Sequence, residues 1–341
     1  MTHKTSASWK KLSDSISQSI PFSPDDVLSV VVNAPFSISG HAGQHVFVKG
    51  VGALNWRREA AQVLLELNGF GSVRIPRNAH IRLKADGPLK IRDVAAARIN
   101  IQESAGPLSI QDGGSLQIHA ADGPVHCRAI HNGVRIGTVD GPTYLENIGG
   151  DIVIEQADGP VVIKNPRGDV TLACKGAAAL YLPETLPQKV QLRVDGDVHL
   201  IVPASARIEG TLQAAKEIHV ELAQHMAQEK ATTIRLIPPD TSSPTILVDI
   251  VAQGRIYVGP HPPKLPHSGF HWMGLAGLFS RRWRKKKSSR HQAASPRPTT
   301  KNTTFASANK DRSAEREMIL RMVAEGKLTA DEGHQLLEAL E

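Results

Sequence analysis

Apolar and polar residues alternate with a period of two through much of this chain, and the alternation itself recurs at a longer interval. Gly-Pro dipeptides stand at Gly87, Gly106, Gly123, Gly141 and Gly159, spaced by 19, 17, 18 and 18 residues. Asp86, Asp122, Asp140 and Asp158 precede four of the five glycines, and Asp195-Gly196 falls two periods further on without its proline. Two residues after each Gly come Leu89, Leu108, Val125, Thr143 and Val161, and two beyond those Ile91, Ile110, Cys127, Leu145 and Ile163. A second short run supplies Ile99/Ile101, Leu116/Ile118, Val134/Ile136, Ile152/Ile154 and Val170/Leu172. Period-2 runs predict strands with side chains alternating in and out.

One such unit, with four inward apolar side chains, cannot bury them alone; stacked on its neighbours at about 4.8 Å per layer it encloses a continuous narrow core. The predicted fold is therefore an all-β solenoid of about 18 residues per coil, two short strands each, with a small C-terminal α-hairpin. A β-sandwich also suits strands at this spacing, but the fixed period favours the solenoid. Gly is expected to supply backbone freedom at the corners, Pro to fix φ, and the Asp carboxylate to accept from backbone N–H groups in an Asx-type turn.

Less regular strands are expected at Val27–Val32, Val190–Val194, Ile218–Leu222, Ile234–Ile237, Ile246–Val251 and Ile256–Val258. The runs Val73–Ile81 and Leu200–Ile208 share a hydrophobic-Pro-x-x-Ala-x-Ile shape. Four regions follow: a 1–24 segment whose Trp9, Leu12, Ile16 and Ile20 share one helical face and suit an amphipathic cap, a β domain over 25–259, a basic linker over 260–311, and a helical hairpin over 312–341.

Charge sharpens that division. The chain carries 40 Lys/Arg and 33 Asp/Glu, net +7. Residues 264–312 hold 12 Lys/Arg and one acid, or +11, leaving 28 bases and 32 acids, or −4, elsewhere. The basicity belongs to a Ser-, Thr- and Pro-rich linker expected to be disordered. Within it Trp272, Phe279 and Trp283 adjoin Arg281, Arg282, Arg284, Lys285, Lys286 and Lys287. Ten apolar-leaning residues at 270–279 are too few to span a bilayer but suit its interface, with the basic run on anionic lipid. The charge run by itself reads first as a solvated spacer and second as a membrane contact; nucleic acid is the least favoured partner, since no reading module accompanies it.

The last residues pattern as two helices. Met318, Met322 and Val323 fall at helical spacing, Gly326 suits a C′ position, and Thr329 with Glu332 makes a capping box ahead of Leu336, Leu337 and Leu340. Helices of about eleven residues are marginal alone, so Met318, Met322, Leu336, Leu337 and Leu340 are expected to dock on a protein partner or a second copy. Ile319–Leu340, with its Glu-Gly-Lys-Leu-Thr core, resembles the SHOCT-like domain found in bacterial envelope-stress proteins of the LiaX type. The repeat region, through Gly150–Ile154 and Gly168–Leu172, resembles the putative-adhesin β-solenoid family, a domain of unknown function. LiaX-type proteins carry the hairpin at the N-terminus and this chain at its C-terminus.

Candidate chemistry is sparse. The Asp86, Asp122, Asp140 and Asp158 column suggests Ca²⁺ binding or an acid–base pair, but the same role in every repeat favours turn capping. His119, His126, His131 and Cys127 cluster in sequence, yet His126 is expected to face outward and Cys127 inward, which does not make a zinc site. No catalytic residue, cofactor or metal site is assigned. Outward Lys90, Arg92, Gln111, Arg128, Glu146 and Lys164 make a mixed-charge surface. The N-terminus lacks a continuous apolar run, so the chain is expected to stay in the cytoplasm, membrane-associated through the linker. The leading functional expectation is a non-enzymatic intracellular scaffold or interaction protein linked to envelope stress. The alternatives are an exported adhesin or carbohydrate-binding protein, and a β-helix polysaccharide-active enzyme.

Overall fold

A computed structural model describes residues 15–183, 189–222, 225–229, 233–236 and 245–262. These residues are all-β, forming strands of one 23-stranded sheet. Trp9, Leu12, the basic linker and the C-terminal segment lie outside them.

Each repeat contributes one strand to a leading ladder, directly after the Gly-Pro corner, and one to a trailing ladder after the mid-turn. In the leading ladder Val125–Ile130, Thr143–Ile148, Val161–Pro166, Ala178–Tyr181 and Val198–Ile201 follow one another in parallel. In the trailing ladder the same holds for Val134–Val139, Ile152–Ala157, Val170–Cys174 and Lys189–Val194. The register advances by one repeat, so that Val134 faces Ile152 and Cys127 faces Leu145. Equivalent residues therefore stack on equivalent residues, as the 18-residue period predicts. Parallel pairing between equivalent strands is not the hairpin pairing of a Greek-key sandwich.

The core is larger than four side chains per repeat. Val125, Cys127, Ile130, Val134, Ile136 and Val139 are each at most 2% exposed. The third inward residue of the leading strand was hidden because two outward residues precede it. One of those two lies in the left-handed region: Asp93 (φ 59°), Asp112 (55°), Ala129 (54°), Asn147 (56°) and Asn165 (51°). Their spacings, 19, 17, 18 and 18, repeat those of the Gly-Pro corners. Asp and Asn tolerate that conformation through local hydrogen bonding; Ala129 alone in the column does not. Asn165 Nδ2 also donates to Asn147 Oδ1 at 3.0 Å, linking two coils.

The Gly-Pro glycines owe their place to a different cause from the one expected. None of them has a positive φ. A Cβ built on Gly106, Gly123, Gly141, Gly159, Gly176 or Gly196 would stand 2.5–2.7 Å from backbone atoms of the glycine one coil earlier. The column is glycine because the main chains pass too close for any side chain. On either side of it the residue before Gly donates to the previous coil, as Asp140 N does to Ala121 O at 2.9 Å, and the proline carbonyl accepts from it, as Pro142 O does from Val125 N at 3.0 Å.

Both ends depart from the repeat. At the N-terminal end Gln62–Pro76 pairs in parallel with Val27–Val32 and Phe36–His41 together, and His45–Glu59 lies antiparallel on it. Ile16–Pro21 then lies antiparallel on His45–Gly50, with Ile16 and Ile20 buried. The expected helical face is thus corrected for its described half: Ile16 and Ile20 share the inner face of a strand, which a spacing of four satisfies equally well. The Asp26 carboxylate, almost fully buried, accepts from Ser23 N and pairs with Arg58, joining the turn before Val27 to the His45–Pro76 hairpin.

At the other end the order of the chain is broken. Ile246–Ala252 lies between Lys189–Val194 and Ile208–Ala214, and Ile256–Gly259 lies between Val198–Ile201 and Ile218–Leu222. Thr233–Leu236 and His225–Glu229 pair antiparallel on the outermost strands. The two hydrophobic-Pro-x-x-Ala-x-Ile runs build the same turn, with Ala79 N on Pro76 O at 3.1 Å and Ala206 N on Pro203 O at 2.9 Å.

Two substitutions separate these roles in urea unfolding. Gly141→Ala is expected to cost about 2–3 kcal/mol by forcing two main chains apart. Ala129→Asn is expected to add roughly 0.5–1 kcal/mol by relieving the left-handed alanine.

Candidate interaction surface

The residues chosen from sequence for contact, Trp272, Phe279, Arg281, Arg282, Trp283, Arg284, Lys285, Lys286 and Lys287, lie outside the described residues. So do Met318, Met322, Leu336, Leu337 and Leu340. The candidate chemistry within the repeats can be placed.

The Asp column does not cap turns with its carboxylates in the way the sequence suggested. Asp158 takes Lys175 Nζ at 2.9 Å and Gln156 Nε2 at 3.1 Å. Lys175 occupies the column position one coil on, and its hydrogen bond holds the Asp158 carboxyl below the usual carboxylate range. That direction is opposite to the one a general acid needs. The capping carboxylates are those of the Gly-Asp-Val/Ile units instead. Asp151 Oδ1 accepts from Asp169 N at 3.0 Å, Asp169 Oδ1 from Lys189 N at 3.0 Å, and Asp197 Oδ1 from Arg255 N at 2.7 Å. Asp151 and Asp169 do so at the mid-turn and Asp197 at the glycine corner, each satisfying a backbone N–H of the neighbouring coil. The Gly-Asp dipeptides were visible in the sequence, but their inter-coil reach needed the register.

His119, His126 and His131 diverge. His131 pairs with Asp112 Oδ1 at 2.6 Å, and the His126 ring meets Tyr144 edge-on at 4.9 Å. Cys127 points into the core, where burial pushes its thiol up to about 12; burial likewise lifts Cys174 to about 11. Among the described residues no group of three His, Cys, Asp or Glu converges on a common point.

The outward residues expected from sequence fall in two columns: Arg92, Gln111, Arg128, Glu146 and Lys164 in one, and Lys90 in another two residues nearer the corner. Lys90, Ser109, His126, Tyr144, Val162, Ala179, His199, Tyr257 and His219 are in register along the leading ladder. All three tyrosines of the chain lie on this face. Lys164 Nζ sits 5.4 Å from the Tyr144 ring and 5.1 Å from that of Tyr181. His219 stacks on Tyr257 at 5.4 Å, and the Tyr257 hydroxyl donates to Glu221 at 2.8 Å. Burial, then that hydrogen bond, pushes the Tyr257 hydroxyl up to about 12, and burial lowers His126 and His199. The signal was present as Gly-Pro-x-His and Gly-Pro-x-Tyr; it was lost because the column changes chemistry along its length.

At the N-terminal end of the same face, a surface groove of about 720 Å³ runs between the His45–Pro76 hairpin and the first Gly-Pro corners. Phe70, Val51, Pro35 and Pro88 wall it, with Lys49 and Lys90 at its margins.

Comparison with known proteins bears mainly on the C-terminus. Residues 314–341 match the family model of the SHOCT-like domain, so the chain carries that module where its sequence suggested. A solved structure of a putative cell adhesion protein from Clostridium sporogenes ATCC 15579 aligns with 72% of this chain and 99% of its own, at 9% identity and a TM-score of 0.19. So weak a superposition bears on neither fold nor function. No curated protein matches the chain.

The thiols give a direct test of the core. Neither Cys127 nor Cys174 is expected to react with a thiol reagent at pH 8 until the protein unfolds. Because both pKa values are raised in the folded state, their contribution to stability is complete below the unfolded value near 9 and declines as pH rises toward 11–12. Rapid labelling of native protein would place these residues outside the core.

Proposed function

We propose that this protein is a non-enzymatic β-solenoid scaffold, kept in the cytoplasm and peripheral to an anionic membrane, in which the SHOCT-like module serves as the docking element of an envelope-stress response. The observation that carries this reading is the SHOCT-like match over residues 314–341 at the end of a chain whose described part is a regular stack of coils. A rigid stack presents fixed columns of side chains. A short two-helix module, marginal by itself, gains stability from a partner. The basic, aromatic linker between them suits a lipid surface, and its charge would act as a tether additional to docking.

Light scattering coupled to gel filtration tests the docking element. Full-length protein is expected to self-associate or to carry a bound partner, and Leu336→Glu with Leu337→Glu to release it. A strictly monomeric, partner-free protein in both forms would remove docking from the reading.

A second reading, an exported saccharide-binding protein, is supported by the His126, Tyr144, Tyr181 and Lys164 group, since flat rings beside a cation suit the faces and hydroxyls of sugars. Affinity electrophoresis in gels cast with soluble polysaccharide should show retardation that Tyr144→Ala abolishes. Unchanged mobility of the native protein would dismiss it.

A further inference from the structure

The outer surface of the N-terminal hairpin is built unlike the rest of the stack. Three of the five large apolar side chains exposed among the described residues lie on it: Phe47 (37%), Val51 (61%) and Phe70 (64%). Val51 and Phe70 are direct cross-strand partners, and the pairs on either side of them are Gly50 with Gly71 and Gly52 with Gly69. A Cβ on Gly52 or Gly69 would strike the opposite main chain, so both positions require glycine. Val51 and Phe70 stand clear of the backbone, open to whatever faces the sheet.

The charge around them has one sign. Lys49 faces Ser72, Arg74 faces Phe47, and Lys90 lies in the next strand but one along the ladder. No carboxylate lines the groove. Among the described residues none of these three cations has an ion-pair partner, whereas cations further along the stack do: Arg128 with Glu146, Arg135 with Glu155, Lys175 with Asp158 and Arg255 with Asp197. An apolar pair standing proud inside a cationic border is complementary to anionic headgroups above an acyl layer. Among the described residues the His45–Glu59 strand has neighbours on both sides only as far as Gly50, so a strand edge begins beside Val51; what favours a lipid surface is the cationic border around outward apolar side chains.

We propose that this face, centred on Val51 and Phe70 with Lys49, Arg74 and Lys90 around them, is an anionic-lipid contact surface of the folded region. It rests on the membrane-peripheral reading above but assigns the contact to a surface separate from the linker.

Co-sedimentation of full-length protein with vesicles of phosphatidylglycerol and phosphatidylcholine in equal parts, and of phosphatidylcholine alone, tests it. Three variants are compared: Val51→Ser with Phe70→Ser, Lys49→Gln with Lys90→Gln, and a linker form with every Arg and Lys of 281–287 changed to Gln. The substituted hairpin residues are exposed, and circular dichroism melts check that folding is kept. The expected result is binding to the anionic vesicles that falls about tenfold in the apolar variant and about tenfold in the cationic one, while the linker form keeps a bound fraction sensitive to Phe70→Ser. Three results would overturn it: no binding by the native chain, undiminished binding by the apolar variant, or loss confined to the linker form. The last would leave the linker tether standing while this surface falls. Binding of a synthetic Glu-Leu alternating peptide, lost with Phe70→Ser, in a protein that ignores vesicles would show that the occupant is a protein segment and also overturn it.

Discussion

The closeness of successive main chains at the glycine corner sets the terms for the rest of the molecule. At Gly106 through Gly196 a methyl group would overlap the neighbouring backbone, so the coil can turn there only with glycine. That contact fixes the spacing and the register of both ladders at once. With register fixed, each inward position meets its equivalent above and below, and a core mostly of modest aliphatic side chains closes, with Phe22 and Phe36 its aromatic members near the N-terminal end. This accounts for a chain with 4% aromatic residues and a continuous buried column. The left-handed residue in five successive coils, from Asp93 to Asn165, is the second constraint, because it rotates the chain so that Ile130, Ile148 and Pro166 return to the interior.

Much of this was legible in sequence. The Gly-Pro spacing gave the layer length, and the period-2 runs placed the strands. What sequence could not reveal was anything depending on contact between coils. Glycine reads alike whether it is needed for φ or for clearance. Asp140 and Asp151 are both aspartates beside a glycine, yet only the second reaches the next layer's N–H. Ile16 and Ile20 fit a helix and a strand equally by spacing, and the pairing with His45–Gly50 decides between them. The outward His126–Tyr144 column was missed for a related reason: its members vary, so no repeat consensus marks them. Val51 and Phe70 sit between glycines of which Gly52 and Gly69 have positive φ values of 128° and 145° within paired strands, a conformation that only the pairing reveals.

Function in such an architecture resides in columns. The core positions are used up by stacking and the corners by glycine, which leaves the outward positions free to differ from coil to coil. Along the leading ladder those positions pass from serine and lysine near the hairpin to histidine and tyrosine further along. The chain thus presents different chemistries at different heights of one face.

The interleaved coil at the C-terminal end carries a mechanical consequence. The polypeptide leaves the sheet after Gly259 from a strand that has a parallel neighbour on each side, not from an outermost edge. A pull applied through the tail therefore loads two rows of main-chain hydrogen bonds in shear, instead of peeling one row open bond by bond. The exit from the sheet at Gly259 is thus through an interior strand, a connection suited to bearing tension.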